Sequence, residues 1–375
     1  MHLPKKALAL LLFALLLIMS FSTIALAKKP VVFVSIVPQK YFVEQIAGDS
    51  VDVEVMVMPG ASPATYEPRP RQMAMLAKAD AYLAIGVPFE RTWLPRIKAT
   101  NPDLRVVHID KSLRKLPMAA SAMEVDANPR GTLLHDYRGD EAGHEEHTEG
   151  HEKHPAKEHD GHDDHDTHAD KDHHDHAMHE HKHEHDTHNH GDEHATHNHG
   201  HSHGHSHAGM LDPHVWLSPR WVKAMTKPTR LALNKVAPEH AKQFRINTRN
   251  FIKQLDELDK EINAIFAPIP PEKRAFMTFH PSWGYYAMTY NLIQIPIEFE
   301  GKAPTPKVME QIATIAKKRN LRTIFVQPQF AQSSAKTIAN SINGSVVVAD
   351  PLAENWVENL REVSKKLAAS FILSE

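Results

Sequence analysis

The chain has 375 residues, 30 histidines, no cysteine and a formal net charge of −3 with histidine neutral, a length that accommodates about two domains. The absence of cysteine excludes disulfides, thiolate metal ligands and a lipid-modified cysteine, which leaves His, Asp and Glu as metal donors, a set suited to Zn²⁺ or Mn²⁺ rather than Cu(I) or iron–sulfur clusters. The small net charge hides two opposed parts: residues 135–207 carry 20 Asp and Glu against 5 Lys and Arg, or −15, while the remainder carries 26 against 38, or +12, and with the densest charge acidic, nucleic acid is excluded as a partner.

The first element is a leader. Lys5 and Lys6 precede an apolar run over residues 7–18, and Ala25-Leu26-Ala27 supplies small residues at −3 and −1 of a cleavage site, which predicts a signal peptide over residues 1–27 and a mature chain beginning near Lys28. An uncleaved membrane anchor is the alternative, weakened by Ser20, Ser22 and Thr23. Export without a cysteine anchor predicts a soluble protein of a Gram-negative periplasm.

Continuous apolar, β-branched runs follow at residues 31–37, 51–58, 81–87 and 104–109, with helix-compatible segments at 39–47 and 70–79 between them. Continuous rather than alternating runs predict strands buried on both faces, and strand–helix–strand repetition predicts an α/β lobe with a mainly parallel sheet.

From about residue 117 to 210 this pattern dissolves. Residues 144–207 hold 24 of the 30 histidines, interleaved with Asp and Glu and closing in HNHGHSHGHSH. No packed core uses such a segment, and its composition predicts a disordered insertion. Imidazole is neutral at pH 7 and binds late first-row divalent ions without first losing a proton, so a dense His tract reads as metal-binding, and its acidity gathers cations by its field. A solvated linker whose histidines do nothing is the bland alternative.

Order returns at DPHVWLSP, residues 212–219. Residues 238–266 are the best helix in the chain, with Phe244, Phe251, Leu255, Leu258, Ile262 and Ile265 at three- and four-residue steps, closed by PIPP at 268–271. It would reach about 40 Å at ~1.5 Å per residue, the length of an interlobe strut, with a coiled-coil partner helix as the competing reading. A second strand series at residues 275–279, 292–299, 323–327 and 346–349, with helices at 307–319, 333–343 and 355–371, repeats the first lobe's plan. The expected domains are an N-terminal lobe over 28–237, a linker helix over 238–266 and a C-terminal lobe over 267–375.

Ligands of α/β sheets collect at the carboxyl ends of strands. His280 follows AFMTF, Asp350 follows VVVA, and His214 lies in DPHVW where order resumes. Each alone is an ordinary turn residue; together they make a candidate metal site.

Five segments, PGASPATYEPRP (59–70), ADAYLAIGVPFE (79–90), DPHVWLSP (212–219), FHPSWGYYAMTY (279–290) and ADPLAENW (349–356), resemble in order the periplasmic solute-binding proteins of ABC-type zinc and manganese uptake systems, in particular the zinc type with a His-rich loop. The resemblance spans the mature chain. It implies two α/β lobes joined by one long helix, a cleft that holds Zn²⁺ or Mn²⁺ as cargo, delivery to an ABC permease in the inner membrane, and no enzymatic activity; the expected state is a monomer. It also implies His214, His280 and Asp350 as ligands.

One departure is serious. The family's first ligand is usually the His of GASPH, and Ala64 stands there. Two imidazoles and one carboxylate leave a fourth donor open: water, a tract histidine such as His203, His205 or His207, or Glu67. Two rival functions remain beside zinc capture. One is a metal buffer or chaperone working through the tract. The other is a metallohydrolase, for which the sequence offers no HExxH-like spacing.

Overall fold

Two four-stranded parallel sheets organise the computed structural model, which describes residues 28–118, 211–298, 302, 304–330 and 332–372. The leader and the His-rich tract, including His203, His205 and His207, lie outside the described residues. The first sheet contains β1 (Val31–Val34), β2 (Asp52–Val55), β3 (Ala81–Ala84) and β4 (Arg105–His108) in the order β2-β1-β3-β4. The second contains β5 (Ala275–Thr278), β6 (Ile293–Pro296), β7 (Thr323–Val326) and β8 (Ser345–Val348) in the order β6-β5-β7-β8. All pairings are parallel. Central strands β3 and β5 are buried at every residue, as continuous apolar runs require.

Each predicted strand is present; the last is shifted by one residue at unchanged length, and the others are shorter, chiefly because the carboxyl end of the apolar run turns out of the sheet. Val37, for example, already opens helix α1 (Val37–Ala47). The other helices are α2 (Pro70–Leu76), α3 (Pro88–Thr100), α4 (Pro219–Val236), α5 (Ala241–Phe266), α6 (Gly284–Thr289), α7 (Pro306–Lys318), α8 (Ser333–Ser341) and α9 (Trp356–Ile372).

Sequence periodicity misses α3, α4 and α6. The first two carry internal prolines, Pro95 and Pro228, which read as breaks. In α4, Pro228 deprives the Ala224 carbonyl of its helical donor, and Ala224 is exposed, so water can satisfy it. Helix α6 is only six residues long.

The long helix begins at Ala241, after a 3₁₀ turn over Pro238–His240. Its buried stripe is Phe244, Thr248, Phe251, Leu255, Leu258, Ile262 and Phe266. Thr248 fits there because its hydroxyl donates to the Phe244 carbonyl at 2.6 Å, whereas Ile265 sits beside the stripe, half-buried.

The helix runs antiparallel to α4, as the ion pairs Arg220–Asp259 at 3.1 Å and Lys223–Asp256 at 2.7 Å record. It also touches both lobes. Asn247 Nδ2 donates to the Ile46 carbonyl of α1 at 3.0 Å, and Phe266 packs against Phe371 of α9 at 6.1 Å.

A second tie lies at the start of α9. Trp356 of the second lobe packs on Phe42 of α1 at 5.0 Å and donates from its indole to the Trp216 carbonyl at 2.8 Å. Trp216 in turn donates to the Pro351 carbonyl at 2.7 Å. One apolar core therefore runs continuously from the first sheet through α4, α5 and α9 to one face of the second sheet, while the other face of the second sheet has its own core with α7 and α8. Among the described residues, no helix is long and apolar enough to cross a membrane.

Candidate metal centre

In each sheet the chain reverses its winding between the first and third strands, and the carboxyl end of that switch point is where the loops part to leave a crevice. In the second sheet this lies between β5 and β7. His280 sits two residues past β5, and the first residue after β7, Gln327, pins it: Gln327 Nε2 donates to the His280 carbonyl at 2.7 Å, and the His280 amide donates to Gln327 Oε1 at 3.3 Å. Phe330 stacks on the imidazole with centroids 5.0 Å apart and planes at 24°.

His214 comes from another element, the residue before the 3₁₀ turn Val215–Leu217 that leads into α4. The imidazoles of His214 and His280 meet edge to face with centroids 5.4 Å apart. Residues 66 apart in sequence are thus brought side by side.

Each imidazole is backed by a buried carboxylate. Asp212 Oδ1 accepts from His214 Nδ1 at 2.7 Å and from the His214 amide at 2.9 Å. Glu298, two residues past β6, places Oε1 3.3 Å from His280 Nδ1. Asp212 and Glu298 are 2% and 3% exposed, so their charges act with little screening. A carboxylate at Nδ1 fixes the tautomer with the proton there and leaves the Nε2 lone pair as the donor.

Burial holds the His214 pKa below the ordinary histidine value, against the raising pull of Asp212, and His280 and Lys115 push it further down. A neutral imidazole near pH 7 can bind a cation without first releasing a proton.

Asp350 stands two residues past β8, on the carboxyl edge that also carries His280 and Glu298. Its Oδ1 accepts from Gln329 Nε2 at 2.8 Å and from the Leu352 amide at 2.9 Å. Among the described residues no hydrogen bond reaches Oδ2. Glu67 and Ala64 are exposed on the loop between β2 and α2. Among the described residues, no group of three or more His, Asp or Glu side chains is arranged to hold an ion. The structure therefore joins His214 to His280 and places Asp350 on the same sheet edge.

Sequence reading assigned no role to Asp212, Glu298, Gln327 or Gln329. The rule that found His280 and Asp350, a polar residue just past a buried strand, also points to Glu298 and Gln327.

A helix-flanked pair of parallel sheets with two carboxylate-backed imidazoles defines a two-lobed binding protein built for a small cation. Comparison with known proteins narrows this. The family described as "ZnuA: Zinc-uptake complex component A periplasmic" matches residues 32–370, and the chain belongs to that family.

Among individual relatives, the zinc-binding protein AdcA of Streptococcus pyogenes serotype M3 is 26% identical over 317 residues, 84% of this chain and 49% of that protein. The chain thus spans about half the length of the AdcA relatives it matches. A putative metal-binding protein of Chlamydia muridarum is 23% identical over 364 residues, 97% of this chain and 99% of its own length.

Among solved structures, a crystal structure of ZnuA is similar with a TM-score of 0.66 and 29% identity, covering 92% of this chain and all of that one. A zinc-bound ZnuA lacking residues 138–173 of its own numbering gives 0.65 and 30%, covering 92% of this chain and 98% of that one.

Proposed function

We propose that this protein captures Zn²⁺ in a cleft between its lobes and delivers it to an ABC permease in the inner membrane, as a non-catalytic carrier exported to the periplasm. His214, His280 and Asp350 are its ligands. The observation that carries the proposal is the pair of imidazoles 5.4 Å apart, each with a buried carboxylate at Nδ1, which is how histidine ligands are held and oriented. Membership of the zinc-uptake family and the zinc bound by the ZnuA neighbour support the same reading. Mn²⁺ is the alternative cargo, since a site with one carboxylate and two imidazoles is harder than an all-imidazole one.

The division of the chain proposed here is a signal peptide over 1–27, an N-terminal lobe over 28–237 carrying the insertion at about 117–210, a linker helix over 238–266 and a C-terminal lobe over 267–375. The tract collects ions for the cleft and does not select them. Water, a tract histidine such as His203, His205 or His207, or Glu67 completes the donor set, in that order of preference.

Isothermal titration with Zn²⁺ tests the assignment. His214→Ala and His280→Ala should each abolish the tight site and leave several weak ones in the tract. Full tight stoichiometry in either variant would overturn the ligand set. A protein lacking residues 136–208 should keep one tight site; if all tight binding vanished with the deletion, the buffer reading would replace this one.

A further inference from the structure

We infer that Tyr285 is a positioning residue for the cleft, its hydroxyl locking the stem of the His-rich insertion and, through Asp212, holding His214 in place. The inference rests on the proposed role of His214 as a ligand.

The insertion leaves and rejoins the fold through two short segments that lie side by side. Pro117 and Leu211 form an antiparallel bridge, and the Asp212 amide donates to the Leu116 carbonyl at 2.8 Å. The Tyr285 hydroxyl, on α6 and fully buried, closes the stem from the second lobe. It accepts from the Leu116 amide at 3.0 Å and donates to the Asp212 carbonyl at 2.9 Å. One oxygen atom thereby grips both strands.

The ring itself is fixed by Trp221 of α4, whose centroid lies 4.6 Å away. From the other side Lys115 ties the stem to the first lobe, with Nζ 2.6 Å from Asp110 Oδ2 and 3.3 Å from the Ile85 carbonyl.

Asp212 is the link to the metal centre. Its backbone is held by Tyr285 and Leu116, and its side chain holds the His214 ring and amide. A side chain fixed at χ1 and χ2 transmits the placement of its own backbone to whatever it grips, so release of the Asp212 carbonyl loosens the imidazole two residues on. Loss of the hydroxyl also strips the buried Leu116 amide of its partner, which favours a shift of the stem toward water.

The neighbouring residue provides the control. Tyr286 is equally buried, and its hydroxyl bonds to Ser364 of α9, a contact remote from the stem. Tyr285→Phe and Tyr286→Phe each delete one buried hydroxyl and keep the ring, so both should lower Tm.

Competition between the full-length protein and a chromophoric zinc chelator reads the tight site separately from the tract. Tyr285→Phe should weaken that site about ten-fold, the lower end of the ~10–100-fold range for outer partners of metal ligands, and Tyr286→Phe should leave it unchanged. Unchanged affinity in Tyr285→Phe, or equal losses in the two variants, would overturn the inference. His214→Ala measured alongside separates the two readings: a tight site that survives it refutes the ligand assignment itself, whereas its loss there with wild-type affinity in Tyr285→Phe refutes only the role of the hydroxyl.

Discussion

Gly284→Ala is a direct perturbation of the carboxylate behind His214. Gly284 opens α6, and a methyl group built there would stand 2.6 Å from Asp212 Oδ2, where ordinary contact begins at 3.4 Å, so the carboxylate must retreat by about 0.8 Å. Its other oxygen holds His214 Nδ1 at 2.7 Å and the His214 amide at 2.9 Å. N–H···O bonds lie within about 2.7–3.2 Å, and a retreat of that size along either bond breaks it. The helix loses nothing from the exchange, because Ala is a better helix former than Gly. The damage should therefore appear in metal affinity more than in folding. Loss of an outer partner costs ~10–100-fold in metal affinity, or about 1.4–2.8 kcal/mol. Chelator competition on the purified variant measures it, with Tm confirming the fold. Wild-type zinc affinity in a folded Gly284→Ala protein would refute the reasoning that Asp212 governs the site.

Two further outcomes are expected. Ala64→His restores an imidazole where the family usually has one, on an exposed loop where substitutions change stability by less than ~0.5 kcal/mol; zinc should bind more tightly and leave more slowly in stopped-flow release, and an unchanged off-rate would show that this position does not face the ion. Glu90 gives a pH dependence: burial raises its pKa above the ordinary carboxyl value, opposed by the Ser35 hydroxyl and the Ile85 and Gly86 amides. A raised folded value means that the native state binds more protons than the unfolded chain in the window above the ordinary carboxyl pKa, so this group's contribution to stability grows as pH falls through the raised value. Compared with Glu90→Gln in urea, the wild type should gain relative stability from about pH 7 to about pH 5, and a flat or opposite trend would contradict the assigned direction.

The strands and the long helix were legible because their apolar periodicity is strong: β3 and β5 are uninterrupted, and α5 keeps its stripe over 26 residues. Helices α3 and α4 were not, because Pro95 and Pro228 look like terminators, and nothing local reveals that tertiary packing holds the helix together across them. Strand ends pointed to His280 and Asp350, and the same edge carries Glu298. The meeting of His214 with His280 is a different matter. It depends on how the 3₁₀ turn after the insertion packs against the second lobe through Tyr285 and Trp216, contacts between residues dozens of positions apart that no window of sequence contains.

The frame around the cleft bears on what Ala64 costs. The lobes are tied twice, by α5 against α1 and α9 and by Trp356 against Phe42 and Trp216, and the core between them is continuous. Close-packed interiors resist small displacements, so closing of one lobe on the other is a poor source for a missing donor. A donor must instead travel to the ion, as water does, or arrive on a segment that the packed core does not hold. The described stem of the insertion joins the fold beside Asp212 and within the field of Lys115, one residue from the carboxylate that orients His214. Residues 144–207 hold 24 histidines, and the role proposed for them is to supply ions to the cleft. Under the proposed function, selection is the task of His214, His280 and Asp350, which the packed lobes hold.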